Sequence, residues 1–266
     1  MILKRRVSLN NAQLDELDDR IIITGIDEAA GKASISASGT ANNDGQRITQ
    51  IRRDTLDVTI KFSLNIKNDN MAARSALLER INLWATGGGW LRIGHKPDRM
   101  LLVTLAQAPG AGDMFNWTNE FSIVFRAYSV PFWESESQTI VNSGVAASGG
   151  LWMSVPGNTR TVLKLNAENR SGAVINNIRI VTVQNGQANA IQFSGLDLRG
   201  GQTLTIDYNQ TQSLFVVRNR IGNTSVMSKK TAGSADEFVV SPGTLNVQWS
   251  ADRAIMMQAV CRGRYL

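Results

Sequence analysis

Between residues 55 and 66 the apolar side chains Leu56, Val58, Ile60, Phe62, Leu64 and Ile66 occupy every second position. Successive side chains of an extended strand point to opposite faces, so this spacing predicts a long strand with one buried face. Such a strand commits the chain to a sheet, because a lone strand satisfies neither its apolar face nor its backbone groups. The neighbours supply partners. Residues 20–26 (RIIITGI) are β-branched and close on a glycine, a strand followed by a turn. Residues 90–93 and 100–105 are short apolar strands around the turn formers Gly94, His95, Lys96, Pro97 and Asp98, which predicts a hairpin. Residues 121–128 (FSIVFRAY) form another strand and run into Pro131, Phe132, Trp133 and Glu134. Residues 31–45 are rich in Gly, Ala, Ser and Asn, and are expected to form an irregular, mobile loop exposed enough to serve an interface.

The period changes once. Over 70–85, Ala73, Leu77, Ile81 and Trp84 recur at three- and four-residue steps, and Leu78 and Ala85 widen the stripe. This predicts an amphipathic helix with Asn70 as N-cap and Gly87-Gly88-Gly89 as its stop, the one substantial helix of the protein. After Glu134 the chain turns to Ser, Gly and Ala as far as Gly150, and this shift marks the expected domain boundary: residues 1–133 and residues 134–266. The second half predicts strands near 162–165, 175–183, 190–193, 203–206, 214–217, 238–240 and 245–249, with a last strand in 254–266 that is free to return towards the first domain. Short strands at this spacing, without a helical period, predict a β-sandwich. The fold class is mainly β.

Of the 266 residues 42% are hydrophobic and 19% charged, enough for a packed core and the reverse of a disordered chain. The net charge of +6 is spread along the chain with no Lys/Arg run, so it reads as a solubilising surface. The basic opening is not followed by an apolar run of signal-peptide length, and no stretch approaches the ~20 apolar residues of a membrane span. The single cysteine, Cys261, excludes an intrachain disulfide, in keeping with synthesis in a reducing cytoplasm.

Reactive side chains are scarce. The one histidine, His95, sits in the predicted hairpin turn, and nothing in the sequence pairs it with Cys261 or a serine as base and nucleophile. One Cys and one His do not make a zinc site. Glu134 with Glu136, or Asp197 with Asp207, are conceivable carboxylate pairs but read as linker and turn residues. Asp15, Glu16, Asp18 and Asp19 lack the alternating ligands and central glycine of a calcium loop and read as a solvated cluster. The glycine run lacks the Gly-Lys-Ser/Thr continuation of a phosphate loop. Trp84, Trp90, Trp117, Trp133, Trp152 and Trp249 are expected to pack rather than bind. No catalytic, cofactor-binding or metal-binding residue is assigned, and no cofactor is expected.

Three segments in order carry a resemblance. FSIVFRAYSVPFWE (121–134), IQFSGLDLRGGQTLTIDYN (191–209) and the ending LNVQWSADRAIMMQAVCRGRYL (245–266) together resemble the distal tail proteins of long-tailed siphophages, the phage tail hub family. The resemblance implies a first domain, 1–133, with the fold of tail-tube proteins plus one helix, acting as a ring-forming belt. It implies a second domain, 134–266, that is a galectin-like β-sandwich. A homohexamer would close into a ring between the tail-tube protein and the tail-tip protein, carry receptor-binding or baseplate proteins, and pass genomic DNA through its lumen without specific contact. The protein would sit at the virion tail tip after assembly in the host cytoplasm, with no membrane partner and no enzymatic activity. The alternative is a carbohydrate-binding host-adhesion protein.

Overall fold

The structure is a computed structural model that describes residues 6–29, 33–38, 47–53, 55–67, 70–109, 120–128, 130–211, 214–235 and 238–266. It is mainly β and divides into two compact units, Met1–Trp133 and Glu134–Leu266.

The first unit contains β1 (Val7–Leu9), β2 (Ala12–Gln13), β3 (Ile21–Glu28), β4 (Ala33–Ser38), β5 (Arg47–Arg53), β6 (Leu56–Leu64), α1 (Met71–Ala85), β7 (Gly89–Ile93), β8 (Arg99–Gln107) and β9 (Glu120–Ala127); β10 (Trp133–Ser135) crosses the boundary. Its sheet runs β2-β1-β7-β8-β9-β6-β3, with antiparallel neighbours throughout. The alternation that predicts β6 is realised: Leu56, Val58, Ile60, Phe62 and Leu64 are buried and the residues between them are not. Phe62 faces Phe121 of β9 in register, with ring centroids 5.8 Å apart, so the pair adds stacking to the ladder. The helix starts as expected, with Asn70 Oδ1 accepting from Ala73 N at 3.1 Å. It buries Leu77, Leu78, Ile81 and Ala85, and Trp84 meets Phe125 of β9 edge-on at 6.0 Å.

Two expectations in this unit change. Residues 33–38 of the expected irregular loop form β4, paired antiparallel with β5, and its residues 34–37 are exposed. The rest of that loop lies outside the described residues, as does Trp117. The glycine run does more than stop the helix. A Cβ on Gly88 (φ +63) would meet the Val103 carbonyl oxygen at 2.1 Å, and one on Gly89 (φ +136) would meet Asn10 Oδ1 at 2.1 Å. Asn10 fills that space, donating from Nδ2 to Gly88 O and accepting from Trp90 N, so the glycines let backbone and side chain interlock.

The second unit contains β11 (Thr139–Val155), β12 (Thr161–Val162), β13 (Lys164–Asn169), β14 (Ile178–Gln184), β15 (Gln187–Phe193), β16 (Thr203–Thr211), β17 (Leu214–Ile221), β18 (Thr224–Ser225), β19 (Val239–Val240), β20 (Gly243–Cys261) and β21 (Arg264–Tyr265), with one short 3₁₀ turn at Met227–Lys229. The order β15-β14-β20-β13-β16-β17-β18 conceals a corner in β20. Its first half pairs with β14 and its second half with β13, while β11 follows it along both halves. The corner falls at residues 252–254. There the Asp252 carboxylate accepts from the backbone N–H groups of Asn176 and Asn177 at 3.1 and 2.8 Å, which satisfies donors that the ladder releases. Residues from both halves, among them Leu245, Val247, Trp249, Ile255, Met257 and Ala259, enter one core with Ile180, Phe193, Leu165 and Leu204. Two sheet layers thus close over a single core through one bent strand.

Two further expectations change here. The Ser/Gly/Ala stretch that marks the expected domain boundary is a strand, β11, paired with β20 over most of its length with register shifts between Asn142 and Val145 and between Ala146 and Ser148. The two segments expected as separate strands at 245–249 and 254–260 are halves of β20.

Candidate functional site

Glu28 closes β3, and the β7–β8 turn brings His95 and Lys96 to it. His95 Nε2 lies 2.8 Å from Glu28 Oε1, and Lys96 Nζ pairs with Oε2. The buried Trp133 donates its Nε1–H to the same Oε2 at 2.9 Å, and Lys96 Nζ sits 4.6 Å from the Trp133 ring centroid. Burial pushes the Glu28 carboxyl up, but hydrogen bonds and charge from Lys96 and His95 outweigh it and hold the group below its ordinary value. A carboxylate saturated by donors, with no second carboxylate or nucleophile in the cluster, is a structural tie. It fastens the last residue of the first unit to that unit's own sheet.

The acidic cluster is not merely solvated. Asp18 takes a two-pronged contact from Arg20 at 2.7 Å on each oxygen and a third from Arg80 of α1 at 3.3 Å. The Arg20 hydrogen bonds hold its carboxyl far below the usual range, against a smaller opposing effect of burial. Arg80 also donates to the Leu17 carbonyl, so the cluster docks the helix. On the sheet, Asp57 and Arg126 face each other directly across β6 and β9 and form two bonds of 2.6 and 2.7 Å.

In the second unit, the Glu134 and Arg264 side chains are nearly buried and pair at 3.0 Å. Glu134 is therefore a buried strand residue, not the linker residue its composition suggests. Asp207 pairs with Lys164 at 3.5 Å, and Asp197, in a left-handed turn, lies 3.5 Å from Arg199. The Arg262 guanidinium donates to the carbonyls of Ser135 and Glu136. Of the conceivable carboxylate pairs, Glu134, Asp197 and Asp207 are thus each held by a different cation. Cys261 is buried, and burial pushes its thiol up to about 11, which leaves it protonated at neutral pH and a poor nucleophile. Among the described residues no group of three or more His, Cys, Asp or Glu side chains could hold a metal ion.

The tryptophans divide. Trp133 and Trp249 are buried, and Trp84 donates to Ala12 O at 3.0 Å, so these three pack. Trp152 does not: it is 68% exposed on β11, opposite Asn246 of β20. Alternation in β11 points Leu151 and Met153 to the core and so forces Trp152 outwards, a signal hidden by the small residues before it. At one end of the unit a hollow of about 410 Å3 is lined by Arg160, Thr182, Gln184, Gln187, Asn189 and Ser241, among other residues. Sequence gave no hint of it, because its amides come from separate strands.

No family model matches the sequence, and no curated protein sequence matches it. Solved structures do. The phage p2 baseplate in its activated conformation matches with strontium at 10% identity and TM-score 0.44, and with calcium at 9% and 0.42; each match covers 96% of this chain and 97% of the other. The SPP1 Dit protein, reported as a paradigm of the hub adsorption apparatus in Gram-positive-infecting phages, matches at TM-score 0.69 with 11% identity, over 98% of this chain and 99% of its own. The fold of this chain, through both units, is that of SPP1 Dit.

Proposed function

We propose that this chain is a structural tail-hub protein of a siphovirus-type particle, located at the virion tail tip. The observation that carries the reading is the end-to-end likeness of its fold to a hub protein, with neither chain leaving a domain unmatched. In this reading residues 1–133 form the tail-tube-like belt, and six copies close into a ring between tail tube and tail tip. Residues 134–266 form a galectin-like sandwich that carries receptor-binding or baseplate proteins. Genomic DNA crosses the lumen without specific contact, assembly takes place in the host cytoplasm, and no reaction is catalysed. Among the described residues the border strands of the first sheet, β2 and β3, pair with no further strand, which supports ring closure, since an edge left open in one copy is covered when a neighbour extends the sheet.

Negative-stain imaging and mass measurement of the full-length protein test this: rings with six-fold symmetry are expected, and a monomer at high concentration with no ring in any particle would overturn it. The amide-lined hollow favours a second reading, a carbohydrate-binding adhesion protein. Titration with purified cell-wall polysaccharide separates the two, because only the second predicts binding that Asn189→Ala abolishes.

A further inference from the structure

The hollow at one end of the second unit has two walls that a single amide locks together. Gln184 ends β14; its Nε2 donates to Ser241 O at 2.7 Å and its Oε1 accepts from Ser241 N at 2.8 Å. One wall is therefore the β14–β15 hairpin, which turns through Asn185 and Gly186 at positive φ, and the other is the chain leaving β19. The β12–β19 pair, with Thr161 opposite Val240, brings Arg160 to that second wall. The polar groups facing this space are not used by the fold. Thr182 lies on the core-facing side of β14 with Ile178 and Ile180 and is only 4% exposed, yet its hydroxyl makes no hydrogen bond among the described residues. A hydroxyl buried this far normally has a partner. The side-chain amides of Asn185, Gln187 and Asn189 also lack one among the described residues, and so does the Arg160 guanidinium. No described residue lining the hollow carries a carboxylate, and Val239 adds an apolar patch.

We propose that the hollow binds a sugar or polyol carrying one anionic group, a carboxylate or a phosphate, seated on Arg160. The proposal rests on the carbohydrate-binding reading and adds the charge of the ligand to it. Amides and a hydroxyl both donate and accept, which suits the hydroxyl groups of a polyol. An unpaired guanidinium calls for an anion, and its fork meets a carboxylate or a phosphate with two parallel N–H···O bonds. The volume of about 410 Å3 falls within the roughly 300–1,000 Å3 of small-ligand sites. Walls already tied by Gln184 spare the ligand the work of ordering them. Ring closure by the first unit makes no use of this site.

Titration of the full-length protein with glucose, glucuronate and glucose 6-phosphate, followed by NMR, tests the site. At least one of the two anions should bind about tenfold or more tighter than glucose, and which one does so identifies the anionic group. Arg160→Gln should reduce that anion to the affinity of glucose, while Arg160→Lys keeps part of the difference. Thr182→Val supplies a readout that a structural role would not move. A hydroxyl without a partner in the fold can be replaced by a methyl group with no loss of melting temperature, yet the variant should bind every ligand more weakly. Glucose binding as tightly as both anions, or an Arg160→Gln variant with unchanged preference, would overturn the proposal and leave the carbohydrate reading standing. No binding of any of the three would also overturn it; the carbohydrate reading falls with it only where cell-wall polysaccharide fails to bind as well.

Discussion

Asn169, at the end of β13, is fully buried and uses every hydrogen-bonding site of its side chain. Its Nδ2 donates to the carbonyls of Ala173 and Leu198, both at 2.8 Å, and its Oδ1 accepts from the Ser171 backbone N–H at 2.8 Å and hydroxyl at 2.7 Å. One amide thus fixes the turn after β13 and ties it to the Leu198 segment. Asn169→Ala removes all four bonds. The Leu198 carbonyl keeps its bond from the Ile175 N–H at 3.0 Å and loses a second donor in a buried environment, at about 1.5 kcal/mol. Ala173 and Ser171 are nearer solvent, and water replaces part of what they lose, at about 0.5 kcal/mol for each bond. The expected total is about 3 kcal/mol, which for a domain of this size lowers the melting temperature by roughly 10 °C. Calorimetry of the full-length protein reads the shift, since a change confined to the second unit moves one transition. Asn169→Asp keeps the two acceptor contacts but sets a carboxylate against two carbonyls, and is expected to destabilise at least as much as alanine. An alanine variant within about 2 °C of wild type, or an aspartate variant as stable as asparagine, would refute the claim that the saturated amide carries this stability.

Two more perturbations probe the units separately. Glu28 has a folded pKa below its unfolded value, so the stability it contributes is present above the ordinary carboxylate range and is lost as pH falls through the folded value. Glu28→Gln should therefore lower the first unit's melting temperature at pH 7, with the deficit closing in acid; a pH-independent deficit would count against the ion pairs. A Cβ at position 149 would meet the Trp249 ring at 2.6 Å, whereas at position 150 the nearest atom is 3.7 Å away. Gly149→Ala should cost about 1–3 kcal/mol by overpacking and alter the near-ultraviolet dichroism of Trp249, while Gly150→Ala leaves both unchanged.

What could be read from sequence was what repeats. The two-residue period of β6 and the three-to-four-residue period of α1, with its Asn70 cap, follow from side-chain geometry alone and hold within a residue or two of the observed ends. β11 was not legible as a strand because its small residues show no period until pairing with β20 extends them. The corner in β20 was also hidden, since the polar residues of 250–254 look like a break between strands when they are a bend within one. The Glu28 tie depends on residues 67 and 105 positions away, and no local pattern announces contacts at that range. Saturation of Asn169 is equally invisible: an asparagine before Arg170 and Ser171 reads as an ordinary turn residue.

The match to SPP1 Dit at 11% identity puts these failures in a common light. A β fold persists through such divergence because its core asks for apolar side chains at alternating positions and tolerates many choices among them. The polar nodes are different. Glu28 with Lys96 and Trp133, Glu134 with Arg264, and the Asn169 amide each demand particular partners at particular distances, so each can be replaced only as a set. Surfaces are freer still, because one exposed position places no geometric demand on the next. At this divergence the fold is shared with SPP1 Dit, while the polar contacts of this chain are set by its own residues. What this chain can present to a partner is then set by its own surface, on which Trp152 stands 68% exposed from β11.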